Sequence, residues 1–322
     1  MYVLNPLGPD EQTYLRYGRT IRQLGIRKGL RVLSDRYGRE PTPSPLRWLW
    51  SLLVAVMLPW QRAVQFCALA LVGPVTFIAV EPLLGERAYL VAILAATSPI
   101  VWTVGRRVLQ DVPVAIIVLL CLGCAARHDA FSLSITLFCL LACREAAVLM
   151  VPAIVTVWLL TGGPVGPLLW SIGASGTASL IALIVLFGKR LPGLLKRFAT
   201  GTDCEYARTH KGTYHRLLVD LMMVSPLTCI LACAGWHISL PITCAAITII
   251  GIHAVLPIRN LRFIIAADLL LRGVAALAIP MWCLPILIGV DICIAYKIRN
   301  VYDPVTFSLA SAFGMPKQIE MK

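Results

Sequence analysis

The chain alternates between long apolar stretches and short charged ones, and the lengths of the apolar stretches carry the first information. A bilayer core of ~30 Å needs about 20 apolar residues per helix, somewhat fewer where the membrane is thin. On that measure about ten spans are expected, at 63–80, 88–104, 112–126, 130–143, 145–161, 165–187, 217–235, 236–257, 263–280 and 281–296. The fourth is short, and with its predecessor it reads equally as a re-entrant pair, which leaves the sidedness of later loops unchanged. Two long polar segments interrupt the pattern, residues 1–45 and 188–216. The expected fold class is therefore all-α, a polytopic transmembrane helical bundle.

Between the first polar segment and the spans lies PSPLRWLWSLLVAVMLPW, which carries Trp48, Trp50 and Trp60 and is closed by Pro59. Tryptophan favours the headgroup level. Residues 45–60 are accordingly expected to lie along the interface, a short span being the alternative. Three regions follow: residues 1–60 as a polar first loop with the interfacial helix, 61–296 as the bundle, and 297–322 as a short tail.

Composition sharpens this picture. Of 322 residues, 58 % are hydrophobic and 14 % charged, whereas soluble domains run nearer half apolar and about a quarter charged. A mean hydropathy of +0.80 points the same way. A soluble enzyme, a disordered chain and a disulfide-stapled secreted domain are excluded. The net charge of +13 would suggest nucleic acid on a soluble protein. In a bilayer protein it points instead to anionic lipid or a phosphate-bearing substrate at one membrane face. All of the eleven cysteines except Cys204 lie in or beside apolar runs and read as small buried hydrophobes. Cys121 and Cys124 form a C-x-x-C with no histidine near it.

Charge parity tests the spans. With residues 1–45 on one face and strict alternation, Arg106, Arg107, Asp111, Arg144, the 188–216 loop, Arg259 and Arg262 all return to that face. The opposite loops hold little beyond Arg62, Glu81, Glu86, Arg87, Arg127 and Asp129. Excess Lys and Arg would by itself make the charged face cytoplasmic.

Four constellations could carry chemistry. In GPDEQTYLRYG, the adjacent acids Asp10 and Glu11 precede Tyr14; paired carboxylates at a membrane surface suit general-base work or metal ligation. The same acids also suit an ordinary helix N-terminus. In SPIVWTVGRRVLQDVPV, Arg106, Arg107 and Asp111 sit between spans, and Asp111 with Pro113 reads as a helix cap that can also present its carboxylate to a cleft. Arg144 and Glu145 lie between apolar runs, where charge is costly and usually paired or functional, a plain loop being the alternative. Arg259 and Arg262 stand at the mouth of a late span; guanidinium forks suit phosphate oxygens, and lipid headgroups equally. Asp268 and Arg272, four apart on one helix, can pair and read as structural. His210 and His215 lack a zinc spacing, and no H-E-x-x-H, Walker loop or G-x-S-x-G occurs.

Taken in order, these constellations resemble the motifs of the GT-C superfamily of polytopic glycosyltransferases, nearest to its protein O-mannosyltransferase and lipid A aminoarabinose transferase branch. The family's Asp-Glu-x-x-Tyr is matched by Asp10, Glu11 and Tyr14. Its Arg…Asp-x-Pro after a serine-proline is matched by Ser98-Pro99, Arg106, Asp111 and Pro113. A basic residue followed by Glu or Gly is matched by Arg144-Glu145, with arginine where lysine is usual, and a late Arg-x-x-Arg-Phe/Tyr by Arg259, Arg262 and Phe263. The likeness covers roughly residues 8–280. In the family a transmembrane helix precedes the Asp-Glu loop and a large soluble domain follows the bundle; here nine residues precede Asp10 and a short tail follows residue 296.

The resemblance implies transfer of a sugar from a polyprenyl-phosphate donor to a lipid, glycan or protein hydroxyl, on the periplasmic, extracellular or luminal face. It thereby opposes the orientation that charge bias alone suggests, and the resemblance is preferred. Asp10 is assigned as base, with Glu11 and Asp111 orienting the acceptor and Tyr14 and Glu145 supporting. Arg106, Arg107, Arg144, Arg259 and Arg262 would hold the donor phosphate. A lipid-monophosphate donor does not itself demand a divalent cation, so metal independence is expected, with no metal ligands assigned. The expected partners are the bilayer, the donor and an acceptor of unassigned identity, with no nucleic acid. Two other classes fit the same basic face: a lipid-phosphate transporter or scramblase, and a non-catalytic assembly subunit of GT-C-like fold.

Overall fold

The computed structural model describes residues 9–37, 44–105, 110–200, 216–255 and 261–298. Among these the chain is helical throughout, with no strand. The polar N-terminal segment forms α1 (Pro9–Leu24) and α2 (Ile26–Arg36), which fold back on each other across Gly25. That residue takes a φ of 79°, a left-handed conformation that glycine adopts without penalty. Next come α3 (Trp48–Met57), α4 (Gln61–Leu84), α5 (Ala88–Ala96), α6 (Pro99–Gly105), α7 (Asp111–Ala126), α8 (Ala130–Cys143), α9 (Val151–Leu160), α10 (Val165–Phe187) and α11 (Leu191–Thr200). The second half holds α12 (Arg216–Val224), α13 (Pro226–Gly235), α14 (Leu240–Val255), α15 (Ile265–Ala278) and α16 (Leu284–Ile298).

By length and composition, three stretches of the described residues are long and apolar enough to cross a membrane: Gln65–Ala96, Val165–Phe198 and Met281–Ile298. A fourth is added if Leu217–Val224 and Pro226–Gly235, bent by 104° at Ser225, count as one broken span. The apolar helices Trp48–Met57, Asp111–Ala126, Ala130–Cys143, Glu145–Leu160 and Leu240–Val255 fall short of that length. Gln65–Ala96 is continuous in composition but not in direction. A Cβ added to Gly73 on α4 would stand 3.2 Å from the Ala92 carbonyl of α5, whereas 19 residues of straight helix would hold the two about 28 Å apart. The chain reverses at Gly85, and α4 and α5 pack as an antiparallel pair. The ten residues of α3 reach only about 15 Å, half a hydrocarbon core.

Polar contacts define the two ends of the bundle. At one end Arg127 donates to the Ile78 carbonyl (2.7 Å) and pairs with Glu81 (3.0 Å). Beside them His128 Nε2 lies 2.9 Å from Thr161 Oγ1, and Ser171 donates to the Ala130 carbonyl at 2.8 Å. Thus α8 and α10 start at this end and run together to the other, where Arg144 and Gly188–Arg190 follow them. There the two polar segments meet. Arg190 pairs with Asp35 at 3.1 Å, and Arg197 donates to the Ser34 carbonyl at 3.0 Å. A small apolar cluster beneath them joins Tyr17, Ile21, Leu30 and Leu33 to Phe187 and Leu194. The main core lies between α4, α5, α7, α8, α9, α14 and α15. Outward, α10 exposes Leu169, Trp170, Leu180, Ile181, Ile184 and Val185, a surface suited to a lipid surround.

Candidate functional site

Four distant segments converge at the end that carries the polar segments. Asp111 opens α7. Its expected role as a helix cap is not what its side chain does: Gln110 occupies the capping position, and Asp111 is the first helical residue. The Asp111 carboxylate instead accepts from Arg144 Nη1 at 2.8 Å. Both side chains are buried, at 4 % and 10 % exposure. Arg144 sits in extended backbone just after α8, which lets its side chain turn across to α7. Its guanidinium carbon lies 4.2 Å from the ring centre of Phe263, at the entry to α15. A cation over an aromatic face is stabilised by the ring quadrupole, the more so when desolvated. Phe263 in turn leans on His253 of α14, whose Nδ1 donates to the Ile249 carbonyl at 2.9 Å.

A second ion pair stands beside the first. Arg47, at the start of α3, holds Glu145 with a two-pronged fork: Nε to the two carboxylate oxygens at 3.0 and 2.9 Å, and Nη2 at 2.8 Å. Its Nη1 donates to the Tyr14 hydroxyl at 3.0 Å. The hydrogen-bond network orients the Gln110 amide so that its oxygen accepts from Arg47 Nη1 (3.1 Å) and its nitrogen donates to the Cys143 carbonyl (3.2 Å). Tyr14 packs edge-on against Trp50, ring centres 6.1 Å apart. Glu11, one turn before Tyr14 on α1, is buried as well. A Cβ on Gly18 would press on Val54, Leu58 and the Ala55 backbone nitrogen at 2.8–3.2 Å. The missing side chain thus lets α1 lie close on α3 and delivers Glu11 and Tyr14 to this place.

The structure therefore brings together Tyr14, Asp111, Arg144 and Glu145 of the expected set, with Glu11 close along α1. Asp10 lies in α1 and Arg262 in the Leu261–Ile264 turn, but their side chains are outside the described residues, as are Arg106, Arg107 and Arg259 altogether. Arg47, Gln110 and Phe263 join the site although only Phe263 stood in a recognised motif. Arg47 had a legible signal: it is a single cation inside an apolar, tryptophan-rich stretch, where a charge needs a partner. Among the described residues no group of three or more His, Cys, Asp or Glu side chains is placed to hold a metal ion. Chemically, the arrangement offers buried carboxylates and guanidinium groups at the mouth of an apolar bundle, with Arg144 paired to Asp111 and Arg47 to Glu145. Compared with protein families, curated proteins and solved structures, the chain matches none.

Proposed function

We propose that this end of the bundle is the active site of a membrane glycosyltransferase that uses a polyprenyl-phosphate sugar donor. The observation that supports the reading is convergence. The four segments singled out by motif in the sequence span some 250 positions. Hydrogen bonds join Tyr14, Asp111, Arg144 and Glu145 in one cluster through Arg47 and Gln110, and a cation–π contact from Arg144 adds Phe263. An acceptor hydroxyl attacking the anomeric carbon must lose its proton to a carboxylate within hydrogen-bond reach. Asp10 is the proposed base, with Glu11 and Asp111 orienting the acceptor. The leaving phosphate gains charge in the transition state, and fixed guanidinium groups in a partly dry cleft stabilise that charge. Arg144 is the described member of that group, held in place by Asp111 and Phe263. Arg106, Arg107, Arg259 and Arg262 complete it in the proposal.

In the same reading about ten spans cross, the short apolar helices Asp111–Ala126, Ala130–Cys143, Glu145–Leu160 and Leu240–Val255 among them where the membrane is thin. Residues 45–60 lie along the interface, and the charged end faces the periplasm, cell exterior or organelle lumen. The test is incubation of the purified protein with a panel of radiolabelled polyprenyl-phosphate sugars and candidate acceptors. Transfer of label is expected; donor binding with no transfer to any acceptor counts against it.

One observation favours a second reading, transport of a lipid phosphate. Two helices are interrupted inside the bundle, α5–α6 at Thr97–Ser98 and α12–α13 at Ser225, and broken helices recur where transporters bind their cargo. Movement of a fluorescent lipid phosphate across vesicles, without label transfer, is the outcome that would select it.

A further inference from the structure

A second set of charges is buried more deeply than the site just described. Arg272, on α15, is fully buried. Its Nε donates to Asp268 Oδ2 at 3.0 Å, one turn earlier on the same helix, and its Nη1 is held by Asp291 of α16. The guanidinium also reaches the Leu94 carbonyl (3.3 Å) and the Ser225 hydroxyl (3.0 Å). Asp268 is 0 % and Asp291 1 % exposed. Two carboxylates thus face one guanidinium, and all three side chains are buried.

The surroundings are built from helix breaks. Ser98 precedes Pro99 at the α5–α6 break, and Ser225 precedes Pro226 at the α12–α13 bend. Each serine hydroxyl donates to one oxygen of the same carboxylate, Ser98 to Asp268 Oδ2 at 2.7 Å and Ser225 to Oδ1 at 2.8 Å. Thr97, at the first break, reaches Asp291 Oδ2 at 3.5 Å. One turn beyond Ser225, Thr228 is fully buried and its hydroxyl makes no hydrogen bond. Of the titratable groups on packed elements, the Cys229 thiol of α13 faces both Asp268 and Arg272. It is neutral as a thiol and leaves the sum of charges unchanged.

The charge count then decides the occupant. With both carboxylates ionised the constellation carries one uncompensated negative charge, which burial makes costly and which a buried acid relieves by neutralising. Serine hydroxyls already hold Asp268 as an acceptor, whereas Asp291 has the guanidinium and one long contact from Thr97. We propose that the Asp268–Arg272–Asp291 constellation is a proton-binding site. It takes up one proton per chain on a carboxylate oxygen lone pair and returns it to water when the break regions open. The site does not rest on the transferase reading and is compatible with either function proposed above.

The test is infrared difference spectroscopy of the full chain in lipid nanodiscs at neutral pH, in sodium-free and sodium-containing buffer. The expected result in both buffers is the carbonyl stretch of one protonated carboxyl, shifted in deuterated buffer. That band should disappear in Asp291→Asn and equally in Asp268→Asn, because either change leaves one carboxylate for one guanidinium. Asp291→Asn should fold, since it removes the uncompensated charge and keeps both serine contacts. Absence of the band in the wild type, its persistence in both variants, or its loss on adding sodium would each overturn the proposal. So would failure of Asp291→Asn to fold.

Discussion

Arg47 and Glu145, 98 positions apart, hold each other through three contacts of 2.8–3.0 Å at the rim of the bundle. The geometry is the parallel fork that only a guanidinium gives to a carboxylate. Arg47→Lys keeps the charge but cannot reach Glu145 and Tyr14 together. It should therefore lower the thermal midpoint of the detergent-solubilised protein nearly as far as Arg47→Ala. A lysine variant with wild-type stability would show that charge alone matters here.

The Asp111–Arg144 pair is the more deeply buried. Removing one partner of such a pair leaves the other charge stranded, at a cost of about 3–5 kcal/mol. Asp111→Asn and Arg144→Gln should each destabilise strongly, and the double variant by clearly less than the two added together. Denaturant titration of the three variants gives the coupling directly. Simple additivity would mean that the two side chains do not depend on each other.

The proposed transfer reaction makes a kinetic prediction. Asp10→Asn should cut turnover by about 10²–10⁴ while donor affinity stays near wild type, since the amide keeps the shape but cannot take the proton. Arg259→Ala should weaken donor binding and turnover together, because phosphate contacts act in both ground and transition states. A lipid-phosphate transporter predicts a silent Asp10→Asn. Parallel measurement of donor binding and label transfer separates the cases.

Helix packing offers a test independent of function. A Cβ on Gly123 of α7 would stand 2.9 Å from the Ala79 Cα of α4, too close for the backbones to stay in place. Gly123→Ala should cost about 1–3 kcal/mol by overpacking. Gly176→Ala on α10, where a Cβ meets nothing within 4 Å, should be neutral or slightly stabilising through helix propensity. Equal effects at both positions would refute the close α4–α7 contact.

At the opposite end Asp129 caps α8, accepting from the Ser132 backbone N–H at 3.0 Å. Bonds from Ser132, first its side chain and then its backbone, hold the carboxyl below its ordinary value. The folded state therefore binds this proton less well than the unfolded chain. The cap's stabilisation is complete above the unfolded carboxylate pKa, about 4, and fades as pH falls through the lower folded value. Asp129→Ala should cost about 0.5–2 kcal/mol at neutral pH, and the difference from wild type should shrink in acid. A constant difference down to pH 2 would assign the effect to something other than this titration.

Much of the fold was legible because hydrophobic runs and charge parity are local signals. They mark a break between α4 and α5 near Gly85 and put the two polar segments on one side, where Arg190 meets Asp35. Of about ten expected spans, however, three or four among the described residues are long enough to cross. Helix interruption was less legible. Ser98-Pro99 and Ser225-Pro226 stand in apolar runs that read as unbroken, and a proline announces a break only when its neighbours leave the carbonyl it frees without a partner. At the site, Asp111, Arg144 and Glu145 could be picked out because charge inside apolar sequence is conspicuous. Their pairing could not: Asp111 looked like a cap, and only the extended backbone at Arg144 turns its guanidinium onto α7. Asp291 was missed as the partner of Arg272 because 19 positions and a helix turn separate them, beyond the reach of any periodicity.

The long separations within the cluster also impose a timetable on the newborn chain. Translation proceeds at about 5–20 residues per second, so Arg47 waits about 5–20 seconds for Glu145 to be made. Arg144 waits longer still for Phe263. Until then Arg47 can reach the earlier-made Tyr14 hydroxyl but not its carboxylate, whereas Arg144 emerges after its partner Asp111 is already made. A ribosome stalled before residue 145 would hold a chain whose α3 can already pack on α1 but whose Arg47 lacks the carboxylate of the finished fold.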